Sequence, residues 1–335
     1  MPFIADHSVI CQHCPHGRCI EDVRERKIGK RDTKFRLTQV AAISCTFDAL
    51  APGADSDPQG ERSFDDYIGQ FTSNLRGAGK FLFGGDFDVK AGAYSKVEGD
   101  VFELLLAAAL WNAIAAWNRY MAGGVWDSTA FQLPAGAVAT PMRNVAVVQL
   151  PRGYDSTRLF SPETRAALDA FEVALERHNS ELKLSCPDIV GVRLPHPLPA
   201  GFEVFMQPVA NLGADGQRKL GEAYKLLEGR LHGRSLLFAI AAKRSVRSDR
   251  LYQPLFEANV LKFLIGEVLG GSSFRFHVHA GSFEGADVEG HYRAASLVSL
   301  LRGGSPARAV DRLYKATHPR ATAQIVLDEL PLFPL

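Results

Sequence analysis

The apolar pattern is most distinctive at residues 236–242, where seven apolar residues follow one another and then stop abruptly. A continuous apolar run without alternation predicts a strand that is covered on both faces. Residues 243–250 are polar, with four basic residues and one acid, which predicts a charged turn. Apolar positions then recur at helical spacing from Leu251 to Val268, and Pro254 is acceptable in a first helical turn. The pattern therefore predicts a buried strand, a charged turn and a helix.

Other parts of the chain predict the remaining scaffold. Asp100 is expected to cap a long apolar helix that reaches Met121, and the alternation at residues 274–279 predicts a half-exposed edge strand. Residues 51–75 predict a loop with a short helix from Phe64, whereas residues 80–94 show no clear period. Further strands are expected at 144–150 and 188–194, and further helices at 161–178, 217–231, 294–302 and 307–317.

Three side chains within this framework are candidates for catalysis. Asp188 follows a proline and opens a predicted strand, and Lys243 stands where the strand at 236–242 is predicted to end. Glu257 lies in the first turn of the next predicted helix, where the positive helix end favours a carboxylate. Two carboxylates and a lysine on neighbouring elements suit a hard divalent cation, with the ammonium near a phosphate or an attacking water.

Pro187-Asp188, Lys243 and Glu257, at these spacings, resemble the variant PD-(D/E)xK motif of type II restriction endonucleases that cut around a CCGG core. The usual motif has an acid two residues before the lysine, but Ala241 stands there, and in this subgroup the acid moves to the following helix. Residues 243–260 resemble one member of the subgroup almost residue for residue. A weaker similarity extends from about residue 19 to about residue 301.

The resemblance implies an α/β fold with a mixed central β-sheet flanked by helices. Residues 1–75 would form an N-terminal arm that contributes DNA contacts, and residues 76–335 the catalytic and DNA-recognition domain. The implied activity is Mg²⁺-dependent hydrolysis of both strands of duplex DNA, with Mn²⁺ able to replace Mg²⁺. The implied target is a palindrome of the form CRCCGGYG, cut before the inner CCGG to leave 5′-phosphate ends. A palindrome calls for a homodimer as the minimum assembly, and a tetramer or larger assembly stays open.

The resemblance also assigns metal and DNA roles to single residues. Glu103, on the long helix, matches a further metal-associated carboxylate, although a lone glutamate in an apolar run can instead reach water at a helix edge. Lys96 is a weaker candidate for DNA contact, and Arg31, in a basic run that can also be a solvated surface, is implied to contact bases outside the core.

Arg247, Asp249 and Arg250 are implied to read the CCGG bases. Arginine can donate to O6 and N7 of guanine together, and an aspartate can accept from N4 of cytosine. The alternative is that Asp249 pairs with a neighbouring arginine and caps the helix. Arg293 is a departure, because the family is expected to carry an acid at that position.

Charge and cysteine content refine this interpretation. A net charge of +1 provides no global basic field, so DNA binding requires local basic patches. The five cysteines do not form a disulfide pattern and no signal peptide is visible, which predicts a cytoplasmic protein. Cys11, Cys14 and Cys19 could hold zinc but lack a second ligand pair, so zinc is the less favoured interpretation.

Three alternatives concern single residues or the whole function. His277 and His279 share a face of their predicted strand, where a solvent-facing pair is favoured over metal ligands. A structure-specific repair or recombination nuclease could use the same core, although the arginine-rich turn argues against it. A catalytically inactive DNA-binding protein is also conceivable, although the full set Asp188, Lys243 and Glu257 argues against that.

Overall fold

The computed structural model describes residues 20–22, 35–37, 43, 46–54, 62–83, 87, 89–181, 186–247, 252–271, 274–284, 287–301 and 306–333. The strands are β1 (Ile20–Asp22), β2 (Phe35–Leu37), β3 (Val145–Gln149), β4 (Ile189–Arg193), β5 (Leu236–Arg247), β6 (Arg275–Glu284) and β7 (Arg312–Lys315). The α-helices are α1 (Phe64–Phe83), α2 (Ala91–Gly123), α3 (Pro162–Glu176), α4 (Ala214–Glu222), α5 (Tyr252–Phe263), α6 (Val288–Tyr292), α7 (Leu297–Leu301) and α8 (Pro319–Glu329).

A mixed five-stranded sheet forms the centre of the molecule, in the order β3-β4-β5-β6-β7. The first three strands pair antiparallel, and β6 and β7 are parallel to β5. Helices flank the sheet, so the predicted α/β fold with a mixed central sheet is confirmed. Strands β1 and β2 pair with each other in a separate two-stranded sheet.

Strand β5 is the apolar run of the sequence, and its residues 236–242 are buried between β4 and β6. It continues to Arg247, so the charged turn predicted from residue 243 is wrong for the first five residues. The extension follows from pairing, because Ser245 and Arg247 lie opposite Ser282 and Glu284 of the long strand β6. Lys243 therefore lies within a strand and not at its end.

Helix α2 is the main helix of the core and contacts β3, β5 and α8. It begins at Ala91, so Asp100 lies inside the helix and the predicted N-cap is wrong. The helix is long and apolar enough to cross a membrane, but 83% of its most apolar 18-residue stretch is buried inside the protein, which is typical of a core helix. Buried Asn118 fixes its position, because its side chain donates to Val145 and Phe205 carbonyls and accepts from the Val145 N–H.

Strand β6 is not the predicted half-exposed edge strand. It lies between β5 and β7, and His277 and His279 are 0% exposed, so a solvent-facing pair is wrong. The cause is β7, which forms where a helix was predicted at residues 307–317 and covers that edge of the sheet. The unpredicted α8 carries Glu329, whose carboxylate lies 3.4 Å from His277 Nε2.

Three other helices differ in length from the prediction. Helix α1 has 20 residues where a short helix was expected, and it runs across the predicted boundary at residue 75. The segment predicted at 217–231 is the shorter α4 followed by a 3-10 turn, Ala223–Leu226, and that predicted at 294–302 is the five-residue α7. The division of the chain into an arm and a catalytic domain stays a prediction.

Candidate active site

A cleft opens where α2, the end of β3 and the second half of β5 meet. It encloses about 1130 Å³, which exceeds the roughly 300–1,000 Å³ of most small-molecule pockets. Glu103, Asp188 and Lys243 line it together, so the fold brings these three predicted residues to one surface. The size and polar lining of the cleft suit a large charged ligand.

Asp188 and Lys243 form a direct ion pair in this cleft. Asp188 precedes β4, and its N–H donates to the carbonyl of Ile240 on β5, which fixes its place beside that strand. Its carboxylate Oδ2 accepts from Lys243 Nζ at 2.9 Å and from the backbone N–H of Ala242 at 2.7 Å. The antiparallel pairing of β4 with β5 thus brings together two residues that are 55 positions apart.

Lys243 is an ammonium ion in this setting. Burial acts to lower the pKa of Lys243, but the negative charges of Asp188, Glu257 and Glu103 more than offset it, and the pKa is raised. The side chain therefore supplies a fixed positive charge and not a free base.

Glu103 faces the same ion pair from α2. Burial raises the pKa of Glu103 to about 8, the negative charge of Asp188 adds to this effect, and the positive charges of Arg152 and Lys243 oppose it. The side chain is 14% exposed, so it does not extend into water as a helix-edge glutamate would. Two buried carboxylates that repel each other favour a cation between them, and hard oxygen donors suit Mg²⁺.

Glu257 is buried and does not itself line the cleft. Helix α5 starts at Tyr252, so Glu257 lies in the second helical turn and not in the first, and its side chain is only 2% exposed. Its Oε1 accepts from Nε2 of Gln253, which itself lines the cleft. Glu257 nevertheless acts on the site, because its charge contributes to the raised pKa of Lys243.

The predicted metal ligands are therefore only partly assembled. In the portion of the chain that the structure describes, no group of three His, Cys, Asp or Glu side chains is arranged to hold a metal ion. Asp188 and Glu103 fit a divalent cation by their donor chemistry and mutual repulsion. Glu257 is held apart from them by its burial, and its Oε1 is engaged by Gln253.

Comparison with known proteins decides the family. The model of the Cfr10I/Bse634I restriction endonucleases matches residues 63–330, far more than half of the chain. The chain belongs to this family. Its members are type II site-specific deoxyribonucleases that act on double-stranded DNA and generally use a divalent metal, so the chain is an enzyme of that class.

Solved structures agree with this assignment at the level of fold. The crystal structure of the type IIF restriction endonuclease Bse634I with cognate DNA superposes with a TM-score of 0.69 at 19% identity, covering 93% of this chain and 97% of that chain. A second structure of Bse634I gives a TM-score of 0.70 at 20% identity, with the same coverage of both chains. Comparison with curated protein sequences gives no significant match.

The predicted DNA contacts are described only in part. Lys96 is exposed and lines the cleft. The backbone of Arg247 ends β5, but its side chain, together with Asp249, Arg250 and Arg31, lies outside the described residues. Cys11, Cys14 and Cys19 lie outside them too, so the zinc alternative stays untested.

Sequence reasoning missed the pair formed by Asp100 and Arg152. Oδ1 of Asp100 accepts from Nη2 of Arg152 at 2.5 Å, and Oδ2 of Asp100 is buried without a hydrogen-bond partner among the described residues. Burial raises the pKa of Asp100, and the charge of Arg152 opposes that rise. The spacing of Asp100 and Glu103, three residues on one helix, is the signal that could have identified Asp100 as part of the site.

Basic side chains continue the cleft along α1. A second groove adjoins the cleft and includes Arg76 and Lys80 of α1 together with Arg244 of β5. Arg244 donates to Asp65 at 2.6 Å and belongs to both grooves. Arg293, where an acid was expected, is exposed, follows α6 directly and pairs with Glu289 of that helix at 2.7 Å.

Proposed function

We propose that this enzyme is a Mg²⁺-dependent restriction endonuclease that hydrolyses both strands of duplex DNA at a palindrome with a CCGG core. The proposed site is CRCCGGYG, cut before the inner CCGG to leave 5′-phosphate ends, and Mn²⁺ can replace Mg²⁺. The observation that carries the proposal is the Asp188–Lys243 ion pair facing Glu103 in a large polar cleft. An acid, a lysine and a second acid around one space are the groups that phosphodiester hydrolysis needs.

Each charged side chain has a part in the proposed reaction. Asp188 and Glu103 would hold Mg²⁺, with Glu257 as a further ligand. The bound cation supplies Lewis-acid stabilisation and eases the formation of hydroxide. Lys243 keeps its proton and places a positive charge where negative charge builds on the phosphate. In-line attack by water would then release the 3′ oxygen and leave the phosphate on the 5′ end.

In this proposal the bases are recognised by Arg247, the last residue of β5, and by residues that follow it. Residues 243–260 resemble the endonuclease SgrAI, and this resemblance implies that Arg247, Asp249 and Arg250 contact bases. Arg247, Asp249 and Arg250 would read G and C edges in the major groove, because arginine and aspartate fit those edges. Arg31 would contact an outer base and Lys96 the DNA backbone.

A palindromic target requires two copies of the chain related by two-fold symmetry. An exposed apolar surface on α5 and α7 would form the contact between the copies. It consists of Tyr252 and Phe256 on α5 and Leu297, Leu300 and Leu301 on α7. A hydrogen bond links the two helices, because the Leu297 N–H donates to Oδ1 of Asn259. A soluble protein rarely leaves such a surface uncovered.

Digestion of a genome of known sequence tests the proposal. The purified protein is incubated with that DNA and Mg²⁺, and the fragment ends are sequenced. The expected result is 5′-phosphate ends at one repeated palindrome with a CCGG core, and no cutting by Asp188→Asn. Ends at nicks or junctions would instead indicate a structure-specific nuclease. Binding without cutting by the wild-type protein would indicate an inactive DNA-binding protein.

A further inference from the structure

Arg152 lines the same cleft as the Asp188–Lys243 pair, and it lies in the loop that follows β3. Its guanidinium carries five N–H donors in a fixed plane. In the described contacts only Nη2 is used, at 2.5 Å from Asp100 Oδ1 and 3.7 Å from Glu103 Oε1. The side chain is 54% exposed, so its remaining donors are accessible from the cleft.

The anchor at Asp100 gives this arginine a fixed direction. Asp100 lies on α2, the long helix of the core, and its carboxylate is mostly buried. An arginine held at one edge loses less conformational freedom when its other edge binds a ligand. A planar guanidinium with free paired donors matches the two oxygens of a phosphate.

We propose that Arg152 contacts a backbone phosphate of the bound DNA, and that Asp100 orients it for this contact. The proposal rests on the function proposed above, because it takes DNA to be the occupant of the cleft. The contact is with a phosphate, which is the same at every nucleotide, so it contributes affinity and position but no sequence preference.

Binding measurements with Arg152→Gln test this assignment. Glutamine keeps a donor for Asp100 but removes the positive charge, so the variant avoids leaving that carboxylate without a partner. Affinity is measured by fluorescence anisotropy over a range of salt concentrations, in Ca²⁺ and in EDTA. The probes are a duplex carrying the site found by digestion and a duplex without CCGG.

The expected loss is about tenfold in affinity, typical of a hydrogen bond to a charged group. It should be equal for both duplexes, and the slope of log K against log salt should fall by about 0.9, the value for one phosphate contact. Arg152→Lys should restore the slope and only part of the affinity, because lysine keeps the charge but not the planar fork.

Arg158 offers a matched control. Its side chain is 56% exposed, it pairs with Glu228 at 3.1 Å, and it lies six residues farther along the chain, away from the cleft. Arg158→Gln should leave both affinity and slope unchanged. Thermal unfolding of all variants checks that they are folded.

Two results would overturn the inference while leaving the proposed nuclease intact. One is a salt slope for Arg152→Gln equal to that of a wild-type protein that cuts DNA normally. The other is a loss confined to the duplex with CCGG, which would make Arg152 a base contact. A wild-type protein that neither binds nor cuts DNA would overturn the proposed function itself.

Discussion

Glu103→Gln should stabilise the metal-free protein at neutral and alkaline pH. The pKa of Glu103 is raised from 4.5 to about 8, by burial first and by Asp188 second. Below pH 4.5 the carboxyl group is protonated in both the folded and the unfolded chain, and it has no effect on stability. As the pH rises to about 8, the unfolded chain releases this proton and the folded chain retains it, so the folded state loses stability.

The magnitude follows from the width of this pH window. At 1.36 kcal/mol per pH unit, the interval from 4.5 to about 8 corresponds to a loss of at most about 5 kcal/mol. Glu103 lines an open cleft, so water can hydrate the ionised carboxylate, which reduces the expected difference to roughly 1–3 kcal/mol. Glutamine has the same shape and no charge, so the variant should escape this loss.

Urea denaturation in EDTA between pH 5 and pH 8.5 measures the effect. The free energies of unfolding of wild type and Glu103→Gln should be similar near pH 5 and diverge progressively towards pH 8, with the variant more stable. Adding Mg²⁺ should stabilise the wild type and not the variant, because ligand binding favours the folded state. Glu98→Gln, on the same helix and the same cleft, is the control. Parallel stability curves for wild type and Glu103→Gln would refute the reasoning.

Three further predictions address the chemistry, the assembly and the core. Lys243→Ala should reduce the cleavage rate by at least about 10²-fold, since it removes a charge that stabilises the transition state, while binding in Ca²⁺ changes little; normal Mg²⁺-dependent cutting would contradict the site assignment. Phe256→Asp should convert the proposed dimer to a monomer in light scattering, whereas Val173→Asp, on an exposed residue of α3, should not; a dimeric Phe256→Asp protein would place the contact elsewhere. The pKa of His277 is lowered to about 3, mainly by burial. Below pH 6.5 the unfolded chain therefore takes up a proton that the folded chain does not, and the free energy of unfolding should decrease as the pH falls. Urea denaturation should show this fall reduced in His277→Gln, and an unchanged fall would mean that His277 does not contribute to it.

The apolar pattern predicted the central strand and its neighbours well, because a short unbroken apolar run is typical of a strand that is covered on both faces. It failed where pairing partners decide the outcome. The polar second half of β5 has a pattern that predicts a turn, but backbone pairing with β6 keeps it extended. Strand β7 has a mixed pattern, and its pairing with β6 buries two histidines that look solvent-facing in isolation.

The candidate site was predictable in part for a similar reason. Asp188 and Lys243 come together because two recognisable strands pair, whereas the start of α2 gives no capping signal at Lys90. Asp100 was therefore predicted to cap the helix. Its contact with Arg152, which is 52 residues away in the chain, produces no local sequence pattern. The position of Glu257 behind Gln253 depends on where α5 begins, which apolar spacing alone does not fix.

The length of β5 has a consequence for how such an enzyme can diversify. Lys243 and Arg247 are four residues apart on one paired strand, a rigid spacer of roughly 13 Å at about 3.3 Å per residue. With the roles proposed for Lys243 and Arg247, this paired strand sets the distance between the bond that is broken and the bases that are contacted. Substitutions beyond Arg247 that change the preferred target sequence should therefore leave the stagger of the cut DNA ends unchanged.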